Sequence, residues 1–317
     1  MIELGYALSS EEHPPNDLVA YARRAEEAGF DFAMISDHFH PWTDQQGQSP
    51  FVWGVLGAIA HTTERLKVGT GVTCPIIRVH PAVVAHAAAT VAAMMSDRFM
   101  LGLGTGENLN EHVLGDAWPA PDLRLEMLEE AIDVIEQLWR GEQTTHRGKH
   151  FTVEGARIYT LPERPPPILV AAKGEKAAAL AAKHDGLVGT APDKDLLQRF
   201  AGAGGKGKPT YGMLHVCWAA DDATAKRIAR KWWPNSAVPG ELSVELPLPK
   251  HFEQAAELID EEDVAKTFTC SADPEAHLKA IRTYIEAGYD HVYVHQVGPD
   301  QEEFFRFYER EVLPKLR

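Results

Sequence analysis

Short apolar, β-branched runs alternate along this chain with longer stretches in which apolar residues recur at helical spacing, the rhythm of strands joined by crossover helices in a parallel sheet. The runs fall at residues 2–8, 32–36, 66–72, 99–103, 168–171, 186–189, 210–217 and 291–295. A helix is expected over 15–29, closed by Gly29 as its C-cap. Another is expected over 123–140, where Leu128, Ala131, Ile132, Ile135 and Leu138 share one face and acids occupy the other. Eight strands with intervening helices favour a closed α/β structure, a (β/α)8 TIM barrel, over an open doubly wound sheet, which needs fewer strands and carries a glycine fingerprint after its first one.

Two stretches break the rhythm. Residues 141–160 alternate apolar and polar positions around Arg147-Gly148 and read as a hairpin, while 234–252 is rich in proline and reads as an ordered irregular loop. Insertions of this kind in a barrel decorate the C-terminal face, where its active site forms. Residues 201–209, AGAGGKGKP, lack the spacing of a phosphate-binding loop and read as a flexible turn. Residues 1–317 are thus expected to form one barrel domain with two insertions.

Composition narrows the function. With 46 acidic against 31 basic residues, a formal charge of −15 gives a surface that repels phosphate backbones and anionic headgroups, so neither nucleic acid nor membrane is an expected partner. No stretch is apolar for the length a bilayer needs, and the first residues lack a basic segment followed by an apolar run, which points to the cytoplasm. Cys74, Cys217 and Cys270 form no CxxC pair and read as buried thiols in a reducing compartment. The 15 histidines show no metal-binding spacing, so no metal is expected.

In a barrel the chemistry belongs just after the strands, and three such places carry unusual residues. Strand two is followed by Ser36-Asp37-His38-Phe39-His40-Pro41-Trp42, strand three by Gly71-Val72-Thr73-Cys74-Pro75, and strand four by Gly104-Thr105-Gly106-Glu107-Asn108-Leu109-Asn110-Glu111. An imidazole accepts a proton from a hydroxyl near neutral pH and a carboxyl group completes the pair, roles that His38 and Glu107 fit. The plainer alternative is that His38 caps a strand and Glu107 is a solvated loop acid. Glycines around Thr105 let backbone approach a flat or phosphorylated ligand closely.

These segments, together with the Leu4-Gly5-Tyr6 opening, Ala28-Gly29-Phe30-Asp31, Leu138-Trp139-Arg140-Gly141 and Gly288-Tyr289-Asp290-His291, resemble the luciferase-like superfamily along nearly the whole chain. The likeness is greatest to its deazaflavin-dependent branch, of the F420-dependent glucose-6-phosphate dehydrogenase type. The resemblance implies coenzyme F420 across the barrel mouth, with Asp37, Thr105, Gly106, Glu107 and Asn110 near the ring or its tail. It also implies a cis peptide at Gly71-Val72, where glycine replaces the usual serine, and a phosphate tail running toward Ala171, Ala172, Lys173 and Gly174. It makes His38 the base for a substrate hydroxyl, with Trp42 and Glu107 supporting developing charge, and places Glu11, His38, Trp42 and Thr190 at the substrate. A homodimer is expected on the same ground.

The family's basic phosphate clamp is replaced here by Asp193, a residue near Ser243 and Thr267, and an acid facing a phosphate repels it; Lys194, Lys250 or Lys266 are the cations that local shifts would have to bring in its place. The expectation is therefore a dehydrogenase of an alcohol or sugar-type carbon that is not specific for glucose-6-phosphate. The same barrel also suits an F420H2-dependent reductase of ketones or activated alkenes, an FMN-dependent monooxygenase, or a binding subunit without turnover.

Overall fold

The structure is a computed structural model and describes residues 2–316. Its strands are β1 (Glu3–Leu8), β2 (Phe32–Ile35), β3 (Lys67–Thr70), β4 (Phe99–Leu103), the pair β5 (Thr144–Arg147) and β6 (Thr152–Ala156), then β7 (Ile168–Ala171), β8 (Gly186–Gly189), β9 (Thr210–Cys217), β10 (Thr269–Cys270) and β11 (His291–Gln296). Eight of them run in the order β1-β2-β3-β4-β7-β8-β9-β11, with β11 returning to β1 and β9 pairing with both β8 and β11, so the sheet closes on itself. Every pairing in that ring is parallel. The eight apolar runs read from the sequence are the eight staves of this (β/α)8 barrel.

Alternation along each stave separates two cores. Phe32 and Met34 of β2 point inward, where they meet Ala7, Met100, Leu169, Val188, Tyr211 and Tyr293. Ala33 and Ile35 point outward into the larger layer between barrel and helices, with Leu18 and Ala22 of the helix Pro15–Ala28 and Val84 and Ala88 of Pro81–Met95. Phe32, Tyr211 and His291 plug the N-terminal end of the barrel, Tyr211 lying edge-on to Phe32 at 5.3 Å and stacked on His291 at 4.3 Å.

The expected helix ends are close to those found. The first runs Pro15–Ala28, and Gly29 ends it in the left-handed region at φ 95°, its N–H returning to Ala25 and Glu26. The second runs Pro121–Leu138. The 141–160 hairpin is present and docks on that second helix: Glu130 accepts the backbone N–H groups of Lys149, His150 and Phe151 at 3.1, 3.0 and 2.8 Å, gathering the tip into one carboxylate.

Two readings need correction, and one short strand was not read at all. Residues 234–252 are not an irregular loop but short helical pieces, Pro234–Ala237 and Leu242–Glu245, followed by the start of Pro249–Ala256; prolines at first-turn positions begin the first and last of these rather than preventing helix. Within residues 201–209 the first part is not a turn: Ala201–Gly205 continue the helix Lys194–Phe200 in a wider π-type turn that kinks at Gly204, φ 108°, and the turn follows it. The two-residue β10, paired to the end of β9, had no sequence signal because it is too short to show a period.

Gly102 of β4 has no space for a side chain, since a Cβ there would run into the Thr70 carbonyl oxygen. Thr70 in turn bridges β3 to β4 with its hydroxyl, donating to the Gly102 carbonyl at 2.7 Å and accepting its N–H at 3.0 Å. Gly102→Ala is therefore expected to destabilise the protein by about 1–3 kcal/mol. Gly57→Ala, in the helix Val52–Thr62 with nothing within 4 Å of the added methyl, should instead stabilise it by about 0.5–1 kcal/mol. Urea midpoints of the two variants test both signs.

Candidate functional site

One cation ties three strand ends together at the C-terminal face. Arg78, in the segment between β3 and the helix Pro81–Met95, donates through its guanidinium to Asp37 Oδ1 at 2.9 Å and to the Asp37 carbonyl at 3.2 Å. Its backbone N–H reaches Glu111 Oε2 at 3.0 Å, and its Nε lies 3.5 Å from Glu111 Oε1. The second oxygen of Asp37 accepts the Thr73 hydroxyl at 2.8 Å. The three charged side chains are 1% to 7% exposed, so each ion has lost its hydration and depends on the others. Burial opposes the charge on Arg78, yet Asp37 and Glu111 outweigh it and hold the guanidinium firmly protonated. Burial also pushes the Glu111 carboxyl up to about 7, against the pull of Arg78, with Glu107 and Asp37 adding to the rise.

His38 follows β2 on the same loop, with its side chain 10% exposed and Nδ1 3.3 Å from Glu11 Oε1. The approach lacks hydrogen-bond alignment, which leaves this buried ring nitrogen unsatisfied. Glu11 is gripped from its other oxygen by the hydroxyls of Ser36 at 2.6 Å and Ser9 at 3.1 Å. Burial alone would raise the Glu11 carboxyl, but His38, Ser36 and backbone N–H together hold it below the ordinary range. Glu11 is thus a fixed anion beside His38. Trp42 lies edge-on to the imidazole at 5.1 Å and packs by its other side on Phe252 at 5.1 Å.

His40, the nearby rival, is committed elsewhere: its Nδ1 meets the Leu109 carbonyl at 2.9 Å. Asn110 fixes this loop, its Oδ1 accepting the N–H groups of Phe39 at 2.9 Å and His40 at 3.1 Å, while its amide lies 3.5 Å from Glu107 Oε2. Glu107 and Thr105 remain half-buried at the end of β4. The peptide Gly71-Val72 is cis. Gly106 adopts φ 70°, and a Cβ on it would sit 2.6 Å from Cys74 Sγ, so close packing of the mouth demands this glycine.

Ala171, at the end of β7, leads through Ala172 and Lys173 to Gly174, the N-cap of the nine-residue helix Glu175–Lys183. Lys173 and Gly174 are exposed, with open space around the position a Gly174 Cβ would take. Exposed amides at a helix start are suited to an anion. Thr190 is exposed after β8. Asp193 spends its carboxylate capping the next helix, accepting Leu196 N–H at 2.9 Å, and Thr267 bonds to Ser236 at 3.0 Å. Lys266 is paired to Asp263 at 2.8 Å.

The structure thus gathers Glu11, His38 and Trp42 into one cluster and Asp37, Asn110 and Glu107 around the loop beside it. Sequence reasoning missed Arg78 and Glu111. The available signal was position: Arg78 follows strand three, and Glu111 stands four residues after Glu107, one helical turn away. Glu111 carries a stability signature. Because its carboxyl is raised in the folded state, its contribution is fully present below about pH 4.5 and is lost as pH rises through about 7, a span worth about 3 kcal/mol. Glu111→Gln should remove that component, so its stability relative to the native protein should improve as pH rises from 4.5 to beyond 7. Guanidinium unfolding across that range is the check.

Residues 1–291 match the family described as luciferase-like monooxygenase. An F420-dependent glucose-6-phosphate dehydrogenase of Microbacterium testaceum is 36% identical over 329 residues, covering 100% of this chain and 98% of that protein. An F420-dependent hydroxymycolic acid dehydrogenase of Mycobacterium tuberculosis is 38% identical over 323 residues, covering 99% of this chain and 88% of its own length. A solved F420-dependent secondary alcohol dehydrogenase, in complex with an F420-acetone adduct, superposes with a TM-score of 0.92 at 29% identity over 100% of this chain and 99% of that one. The strand ends and the matches extend over the same whole barrel, and the chain belongs to the luciferase-like family.

Proposed function

We propose that this protein is an F420-dependent dehydrogenase that oxidises an alcohol or sugar-type CH–OH carbon and does not require a phosphate on its substrate. The observation that carries the reading is His38 poised beside the buried Glu11 carboxylate and against Trp42 at the barrel mouth. The full-length likeness to F420-dependent dehydrogenases supports the coenzyme. So does the donor set: exposed amides opening the helix Glu175–Lys183 fit an anionic tail, and the half-buried backbone of Thr105 to Glu107 fits a flat ring.

Bound F420 supplies a two-electron hydride acceptor. Asp37, Gly71, Val72, Thr105, Gly106, Glu107 and Asn110 would hold its ring end, and Ala171, Ala172, Lys173 and Gly174 its tail. The chain itself handles the proton. Glu11 favours a proton on the near nitrogen of His38, leaving Nε2 to accept the substrate hydroxyl proton, and the imidazolium then formed is stabilised by that same carboxylate. Trp42 covers the carbinol with an apolar face and keeps water from the imidazole. Glu107, half-buried after β4 and beside Asn110, is the second acid of this reading.

The phosphate-independent part rests on charge. Asp193 is a capping carboxylate, Thr267 and Ser243 are neutral, and Lys266 is already paired. Thr190 is the remaining polar contact proposed for the substrate. A homodimer in the cytoplasm belongs to the same reading, supported by the family resemblance and by the free state of Cys74, Cys217 and Cys270.

Fluorescence titration is expected to show F420 binding far more tightly than FMN. Micromolar FMN affinity with no response to F420 would move the chain to oxygen chemistry. His38→Ala should lower turnover by about 10²- to 10⁴-fold while leaving F420 affinity nearly intact. His40→Ala, whose ring is held by the Leu109 carbonyl, should cost far less. The reverse ranking in steady-state assays would reassign the base.

A further inference from the structure

A second chain of titratable groups stands on the neighbouring wall of the mouth and has no part in the mechanism above. Glu12, with no side-chain exposure, accepts the Gly298 N–H at 2.9 Å on one oxygen and faces His295 Nε2 at 2.8 Å with the other. His295 Nδ1 lies 2.8 Å from His215 Nδ1. The two histidines are register partners on β11 and β9. A carboxylate only accepts, so His295 carries a proton on Nε2, and the neutral ring then presents a lone pair at Nδ1. His215 must then donate from Nδ1, which leaves its Nε2 as a bare acceptor.

The direction of that acceptor follows from the strands. Tyr211 and Met213 of β9 join the inward cluster, as does Tyr293 of β11, so His215 and His295, each two residues further toward the mouth, face the same axis one layer higher. His215 is half-buried, with Phe268 at 5.0 Å and Trp233 at 6.2 Å from its ring. Trp42 packs on the apolar cluster that contains Trp233 and Phe268, and Glu11 and Glu12 are consecutive residues. The two polar chains therefore border one space with a shared aromatic wall. Burial lowers His215 well below the ordinary histidine range, which keeps the ring neutral and able to accept.

We propose that His215, oriented by His295 and Glu12, is a specificity-determining hydrogen-bond acceptor for a second hydroxyl group on an otherwise apolar alcohol, a role that rests on the dehydrogenase reading for the chemistry at the first hydroxyl. His295 and Glu12 are positioning residues that set its tautomer. The substrate class is a neutral diol or polyol carrying an apolar flank.

Long-range ¹H–¹⁵N spectra of the full-length protein labelled at histidine read the tautomer without coenzyme or turnover. The expected result is a His215 ring protonated at Nδ1 alone, with its bare Nε2 resonance shifting on addition of butane-2,3-diol and much less with butan-2-ol. A proton found on Nε2 overturns the proposal. In F420 reduction assays, His215→Phe should cut the preference in kcat/KM for the diol over butan-2-ol by about 5- to 10-fold, with His215→Asn, which keeps an acceptor oxygen, recovering part of it. An equal fall on both alcohols overturns the specificity role. If no alcohol reduces F420, the dehydrogenase reading fails by itself, and the diol-induced shift at Nε2 decides the acceptor independently.

Discussion

The Arg78 guanidinium neutralises one buried carboxylate and faces a second across three strand ends, and the geometry of the mouth follows from that knot. Asp37 is bonded by Arg78 and Thr73 on its two carboxylate oxygens, which fixes the backbone from which His38 departs one residue later. Glu111 holds the short helix after β4, and that helix carries Asn110, whose side chain pins the same loop from above. Removing one partner of such a buried set strands the others without solvent, at a cost of several kcal/mol. The site is stiff because charges that cannot find water hold it.

The eight staves were legible because strands buried on both faces read as short apolar runs between longer helical patterns. The hairpin was legible by its alternation of apolar and polar positions around Arg147-Gly148. Pro234–Ala237 and Leu242–Glu245 were not, since four residues make barely one turn and their prolines signal a break as readily as a first turn. At the site, His38 and Trp42 stood out by their place after a strand. Arg78 did not, because its partners lie 41 and 33 residues away and only the fold brings them together.

His38 and His40 show what spacing alone leaves open. Both lie in one loop two residues apart, and the difference between them is set by partners on other segments: Glu11 for the first and the Leu109 carbonyl for the second. Likewise the glycines around Thr105 suggested room for a ligand, yet Gly106 owes its identity to Cys74 beneath it. Type and position propose a role; the surrounding shell decides it.

The aromatic plug at the N-terminal end, Phe32 against Tyr211 and Tyr211 on His291, is the lowest of the side-chain layers that fill the barrel, with Met34, Met100, Leu169 and Tyr293 in the same cluster. A filled barrel is a core and not a pore, so anything that binds at the mouth rests on a floor of side chains supplied by the staves. Changes to that floor act on the site from beneath: a methylene lost from Met34 or Met100 alters the height of the surface on which a ligand would lie without touching any residue of the rim.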